Sequence, residues 1–98
     1  MIAEPLYRPD GLYPEALISQ IFANGTRAIN IANRWALGWP GRVKQLIEAG
    51  ENRYMAELLK QLELEWDMEA NAVGLNHLSD AEKRQFFGVP EAPPAPSL

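Results

Sequence analysis

The chain has ninety-eight residues and no cysteine, with nine basic and thirteen acidic side chains that leave a net charge of −4. That describes one small domain without disulfides, thiolate metal sites or cysteine nucleophiles, and a single histidine, His77, is too little for a transition-metal site. A domain this short buries a modest share of its surface, so added stability is expected from a second chain.

Overall acidity argues against a non-specific nucleic-acid binder, which needs a basic face to neutralise phosphates. The charge is nevertheless uneven. Residues 1–47 hold five basic and three acidic side chains, and residues 48–98 hold four and ten. The two halves are therefore expected to meet electrostatically. The first residues carry no basic n-region followed by an apolar run, and no stretch approaches about 18 consecutive apolar residues. The expectation is a cytoplasmic, bacterial protein with no membrane span.

Residues 1–13 read as an extended arm. Pro5 and Pro9 block helix, and Pro9-Asp10-Gly11 is a turn signal built from a fixed φ, an Asx side chain and a permissive glycine. Leu6, Tyr7, Leu12 and Tyr13 are too apolar for a free tail, so the arm should lie across a helical surface. The helical domain is expected over residues 14–89. Pro14, whose missing N–H is harmless in a first turn, opens helix 1, which runs to about Leu37 and stops at Gly38-Trp39-Pro40-Gly41. Its apolar stripe is Ile18, Ile21, Gly25, Ala28, Ala32, Trp35 and Trp39, small in the middle where another helix can approach closely.

Helix 2 is expected from Arg42 to about Val73, with Gly74 as its stop. Its stripe is Val43, Leu46, Ile47, Gly50, Tyr54, Leu58, Leu62, Trp66, Ala70 and Val73, widened by Met55 and Leu59. Gly50 is a weak point, yet the apolar spacing stays in phase across it and predicts a continuous helix. Ser79-Asp80-Ala81-Glu82 is a capping box that opens a short third helix, with Phe86 and Phe87 to bury and Gly88 to close it. The remaining PEAPPAPSL, residues 90–98, is proline-rich and should be extended or disordered.

A short connection between two long helices predicts an antiparallel hairpin. Phe22, Ile29, Ile31, Leu37, Met55, Leu59 and Leu64 then fall outside its single seam. That surplus predicts a homodimer closing a four-helix bundle with twofold symmetry. Helix 2 overhangs the hairpin and presents Glu63, Glu65, Asp67 and Glu69 around Trp66, like charges at i,i+4 that something basic should offset. Arg34 is expected to meet Glu48 or Glu51 across the hairpin.

No serine has a histidine at a motif spacing, and the carboxylates lie on what reads as an outer face, so no enzyme, cofactor or metal is expected. Arg27, Arg34, Arg42 and Lys44 with Trp35 and Trp39 form the one basic and aromatic cluster, which leaves a nucleic-acid-associated protein as the alternative. Protein binding is the leading expectation, because Trp, Arg, Tyr and Met are common interface anchors. The candidate partner-binding residues are Phe22, Ile29, Ile31, Arg34, Trp35, Trp39, Arg42, Tyr54, Met55, Leu59 and Trp66. In size, acidity and helical-hairpin layout over residues 14–73, the chain resembles the small bacterial antiactivators that sequester quorum-sensing transcription regulators. That resemblance implies a homodimer that binds a regulator and blocks its action. It is a likeness of architecture and assigns no individual residue.

Overall fold

Both long helices expected from the sequence are interrupted at a glycine. The computed structural model describes residues 13–94, and these form five helices with no strand among them. They are α1 (Glu15–Ala23), α2 (Gly25–Gly38), α3 (Pro40–Ala49), α4 (Glu51–Asn71) and α5 (Asp80–Phe87). The chain is all-α, as its periodicity implied.

The first break follows from Asn24-Gly25. The Asn24 amide donates to the Ile21 carbonyl at 3.1 Å, and its side-chain Nδ2 donates to the Gln20 carbonyl at 2.8 Å. These bonds satisfy the last carbonyls of α1, while Gly25 takes φ +86°, open to glycine at little cost. The second break is at Gly50, with φ +146°. Its amide reaches the Leu46 and Ile47 carbonyls at 3.2 and 3.0 Å, and its own carbonyl accepts from the Tyr54 amide at 3.0 Å. One glycine therefore ends α3 and starts α4. The expected continuous helix across Gly50 is corrected: apolar phase persisted on both sides, but the backbone did not.

α2 packs along α4 and α1 also touches it, while α3 folds back against α4. Arg27, near the start of α2, lies over Trp66, whereas Trp35, near its end, meets Tyr54 edge-on with ring centroids 5.9 Å apart. α2 and α4 therefore run in opposite senses, which keeps the antiparallel element of the expected hairpin. The core is Leu17 and Ile21 of α1, Ala28, Ile29, Ile31, Ala32, Trp35 and Ala36 of α2, Val43 and Leu46 of α3, and Tyr54, Met55 and Leu58 of α4. Full burial of each large aliphatic side chain contributes about 1.5–3 kcal/mol before conformational entropy is charged against it. Ala28 and Ala32 are fully buried, as the small-residue stripe required of a close approach. The indole N–H of Trp35 is buried with no hydrogen-bond partner among the described residues.

Tyr13, the last residue of the expected arm, does lie across the helices. Its hydroxyl is 3.2 Å from the Ala32 carbonyl and 3.3 Å from the Tyr54 hydroxyl. Tyr13 has one proton and gives it to the carbonyl, so Tyr54 donates to Tyr13. This short chain of hydrogen bonds ties the entry of α1 to α2 and α4. Residues 1–12 of the arm lie outside the described residues, as do residues 95–98.

α5 carries the capping box: Glu82 N–H to Ser79 Oγ at 3.2 Å, and Ser79 N–H to Glu82 Oε1 at 2.9 Å. Hydrogen bonding from the Ser79 backbone N–H, and then from its side chain, holds the Glu82 carboxyl below its ordinary range. Gly88 closes the helix in the left-handed conformation at φ +69°. The expected burial of Phe86 is corrected. α5 has no fully buried residue, Phe86 is exposed, and its ring stacks edge-on against Phe87.

Candidate functional site

Glu65 on α4 is the centre of the charged contacts. Arg34 of α2 meets it bidentately, Nη1 to Oε1 at 3.2 Å and Nη2 to Oε2 at 2.6 Å. Gln61, one turn earlier on α4, donates to Oε2 at 2.8 Å, and Arg84 of α5 lies 3.8 Å from Oε1. The expected partners of Arg34, Glu48 and Glu51, are therefore replaced by Glu65. The break at Gly25 and the opposed run of α2 and α4 carry Arg34 to the far half of α4. Of the clustered acids of that half, Glu65 meets two arginines, while Glu63 and Asp67 stay exposed on the surface.

The proline-rich segment is anchored on the same node. Gln61 Nε2 donates to the Pro90 carbonyl at 2.6 Å, Arg34 Nε to the Glu91 carbonyl at 3.1 Å, and Arg42 Nη1 to the Pro93 carbonyl at 3.3 Å. Arg84 Nε reaches the Glu91 carboxylate at 3.4 Å, and the Pro93 ring is fully buried. Residues 90–94 thus run as a strap over α2, α3 and α4. Donors from three helices hold its carbonyls, and its backbone bends at Glu91 and Ala92.

A recess of about 130 Å³ opens between α2, α4 and α5. Arg27, Arg34 and Arg84 line it together with Glu65, Glu69 and Asp80, so cations and anions balance. No group of three metal-ligating side chains occurs among the described residues. No helix among the described residues is long and apolar enough to cross a membrane.

The other prominent feature is a face of α4. Leu59 and Trp66 stand seven residues apart on it and are exposed, Trp66 to 61 %. Seven residues are close to two turns, so the two fall along one line of α4, with Glu63 between them, Ala70 one turn further on and Asp67 beside it. These three neighbours are exposed as well. Arg27 covers part of Trp66 with its guanidinium carbon 5.0 Å from the ring centre. Exposed apolar residues in a continuous line are unusual on a lone chain and mark contact surfaces more often than scattered ones do.

The sequence-derived candidates divide accordingly. Leu59 and Trp66 lie on the exposed face of α4, and Phe22 is exposed on α1. Ile29, Ile31, Trp35, Tyr54 and Met55 are buried inside the single chain. The expectation that Ile29, Ile31 and Met55 form surplus outer surface is corrected. A straight two-helix hairpin has one seam, but the breaks at Gly25 and Gly50 give α2 and α4 additional helical neighbours that cover these side chains. Arg34 and Arg42 hold the strap, and Trp39 is half-buried at the α2–α3 junction. Sequence reasoning missed Gln61, Glu65, Arg84 and Pro93 as a connected set. Nothing local signals that set, because its members are distant in the chain and meet only through the tertiary fold.

The fold and its surface define a small all-helical chain whose conspicuous features are a surface seam and a held strap. Set against protein families, curated proteins and solved structures, the chain matches none.

Proposed function

We propose that the chain is a small regulatory protein that works by binding and inhibiting another protein, a transcription regulator being the target class of the antiactivators its architecture resembles. The observation that carries this is the exposed Leu59–Trp66 seam of α4, an apolar line anchored by a tryptophan, with acidic Glu63 and Asp67 along it. A basic amphipathic helix fits such a surface: its apolar face covers the seam while its cations meet those acids.

Pairing of two copies is a second reading, favoured by the sequence of the same face. A twofold antiparallel contact centred near Glu63 brings Leu59 of each copy toward Trp66 of the other, and Lys60 toward the partner's acids. The nucleic-acid reading loses support, since Arg34 and Arg42 are bonded within the chain and Arg27 is stacked on Trp66.

The test is affinity capture from the native cell with wild type and Trp66→Glu in parallel. A protein recovered with the wild type and lost with the variant is the expected result. Recovery that is indifferent to Trp66 overturns the seam as the binding face, and recovery of nucleic acid with a steep salt dependence overturns the protein-binding reading.

A further inference from the structure

The strap is bound as a ligand would be. Pro90, Pro93 and Pro94 have no backbone N–H, so such a segment is recognised mainly through its carbonyls, its ring surfaces and the side chains between them. The body of the protein supplies that pattern. Donors come from three different helices, Gln61 of α4, Arg34 of α2 and Arg42 of α3, to carbonyls 90, 91 and 93. A fourth cation, Arg84, takes the one acidic side chain, and Pro93 fills a fully enclosed position.

Gln61 is only 4 % exposed, and both of its hydrogen bonds run from the same nitrogen, one to Glu65 and one to the strap. Beside the strap, an apolar recess of about 170 Å³ is bounded by Leu64 and the Lys60 side chain together with Ala92 and Pro94. It leaves room for larger side chains at those two positions. None of these contacts uses a feature peculiar to the chain's own tail.

We propose that the groove formed by α2, α3 and α4 is a recognition site for proline-rich peptides of the pattern Pro-acid-x-Pro-Pro. Residues 90–94 are its tethered occupant, and a segment of the same chemistry in a partner protein is its ligand in trans. α5, which carries the strap, buries no residue of its own, and the strap turns off it at Gly88 with φ +69°. The strap is thus held by its own contacts rather than by a deeply rooted helix. A short tether holds it at an effective concentration in the millimolar range, which masks the groove from weak competitors and admits strong or multivalent ones. This site is separate from the α4 seam, and its test does not depend on the function proposed for that seam.

The experiment uses the full-length chain with Pro93→Lys, which places a cation beside Arg42 in a position that cannot enclose it. The probe is a fluorescent synthetic peptide of wild-type residues 89–98, and the control peptide carries the same Pro93→Lys change. The expected result is a helical variant that binds the wild-type peptide at least about tenfold more tightly than the wild-type protein does, because the tethered competitor is gone. Adding Arg42→Met to the variant should weaken that binding about tenfold, the scale of one charge-assisted hydrogen bond.

Equal binding of the control peptide, or no gain over the wild type, overturns the proposal. Loss of helicity in Pro93→Lys overturns it too, because a strap the fold cannot release is structure and not ligand. Peptide binding accompanied by concentration-dependent dimerisation of the wild type would assign the groove to a second copy's strap and overturn the assignment to a partner.

Discussion

Replacing Glu65 by alanine removes the acceptor on which three helices converge. Arg34 loses two charge-assisted hydrogen bonds, Gln61 loses one, and Arg84 loses one of its two acids. A single hydrogen bond to a charged group is worth about 1.5–3 kcal/mol, and stranding a sealed charge costs about 3–5 kcal/mol. The Glu65 and Arg34 side chains retain 12 % and 22 % of their exposure, so water partly rehydrates the freed guanidinium. The expected loss is therefore about 2–3 kcal/mol, below the sealed-charge range. In a domain of this length that lowers Tm by about 10–20 °C.

Urea and thermal unfolding followed by circular dichroism measure it. Amide exchange at Glu91 and Ala92 should quicken in parallel, because Gln61 and Arg34 also hold the strap. Arg34→Met combined with Glu65→Leu should recover part of the loss and yield a coupling of about 1 kcal/mol or more. A cost below about 0.5 kcal/mol for Glu65→Ala would refute the reasoning, since that is the worth of an ordinary solvated surface pair.

Three further outcomes are expected. Ala28→Leu and Ala32→Leu should each destabilise by about 1–3 kcal/mol through overpacking at fully buried positions, read as a lower urea midpoint; unchanged melting would show that α2 does not approach its neighbours closely there. Gly50→Ala should cost about 1–3 kcal/mol from backbone conformation alone, because an added Cβ would meet only Arg53 at 3.9 Å while φ stays at +146°. Burial raises the hydroxyl pKa of both Tyr13 and Tyr54, with the neighbouring Tyr13 adding to the rise at Tyr54. The unfolded chain then loses these protons first, at about pH 10. Their contribution is constant below that value and falls above it by about 1.4 kcal/mol per pH unit for each tyrosine. Urea melts at pH 8, 10 and 11 check this, and Tyr54→Phe should flatten the alkaline slope.

Much of the local order was legible in residue chemistry. The capping box at Ser79 and Glu82 declared α5, Gly88 closed it, and the buried Ala28 and Ala32 followed from a small stripe at helical spacing. The breaks were harder, although their signals were present. Asn24-Gly25 is a turn pair, but the apolar phase of Ile21, Ala28 and Ala32 continues across it, just as the phase continues across Gly50. Phase reports which side of an axis is apolar and says nothing about whether the axis is continuous. Misreading the breaks then propagated, since two straight helices cannot bury Ile29, Ile31 and Met55, whereas four shorter ones do. The strap was legible only as proline composition. Its anchoring depends on Arg34, Arg42 and Gln61 arriving together from three helices, which no local pattern encodes. Spacing alone puts Trp66 in the apolar stripe of helix 2 with Leu59 widening it, yet both are exposed; only the overhang of that helix marks Trp66 as an outward anchor.

The central claim is that the α4 seam is a protein-binding face. Site-specific photo-crosslinking tests it most directly, with a benzophenone side chain in place of Trp66 in cells that make the chain natively and a control at Glu15, which is exposed on α1. The expected result is a discrete covalent adduct at position 66 and none at 15, its mass showing whether the partner is another protein or a second copy. Equal, diffuse labelling at both positions would contradict the claim.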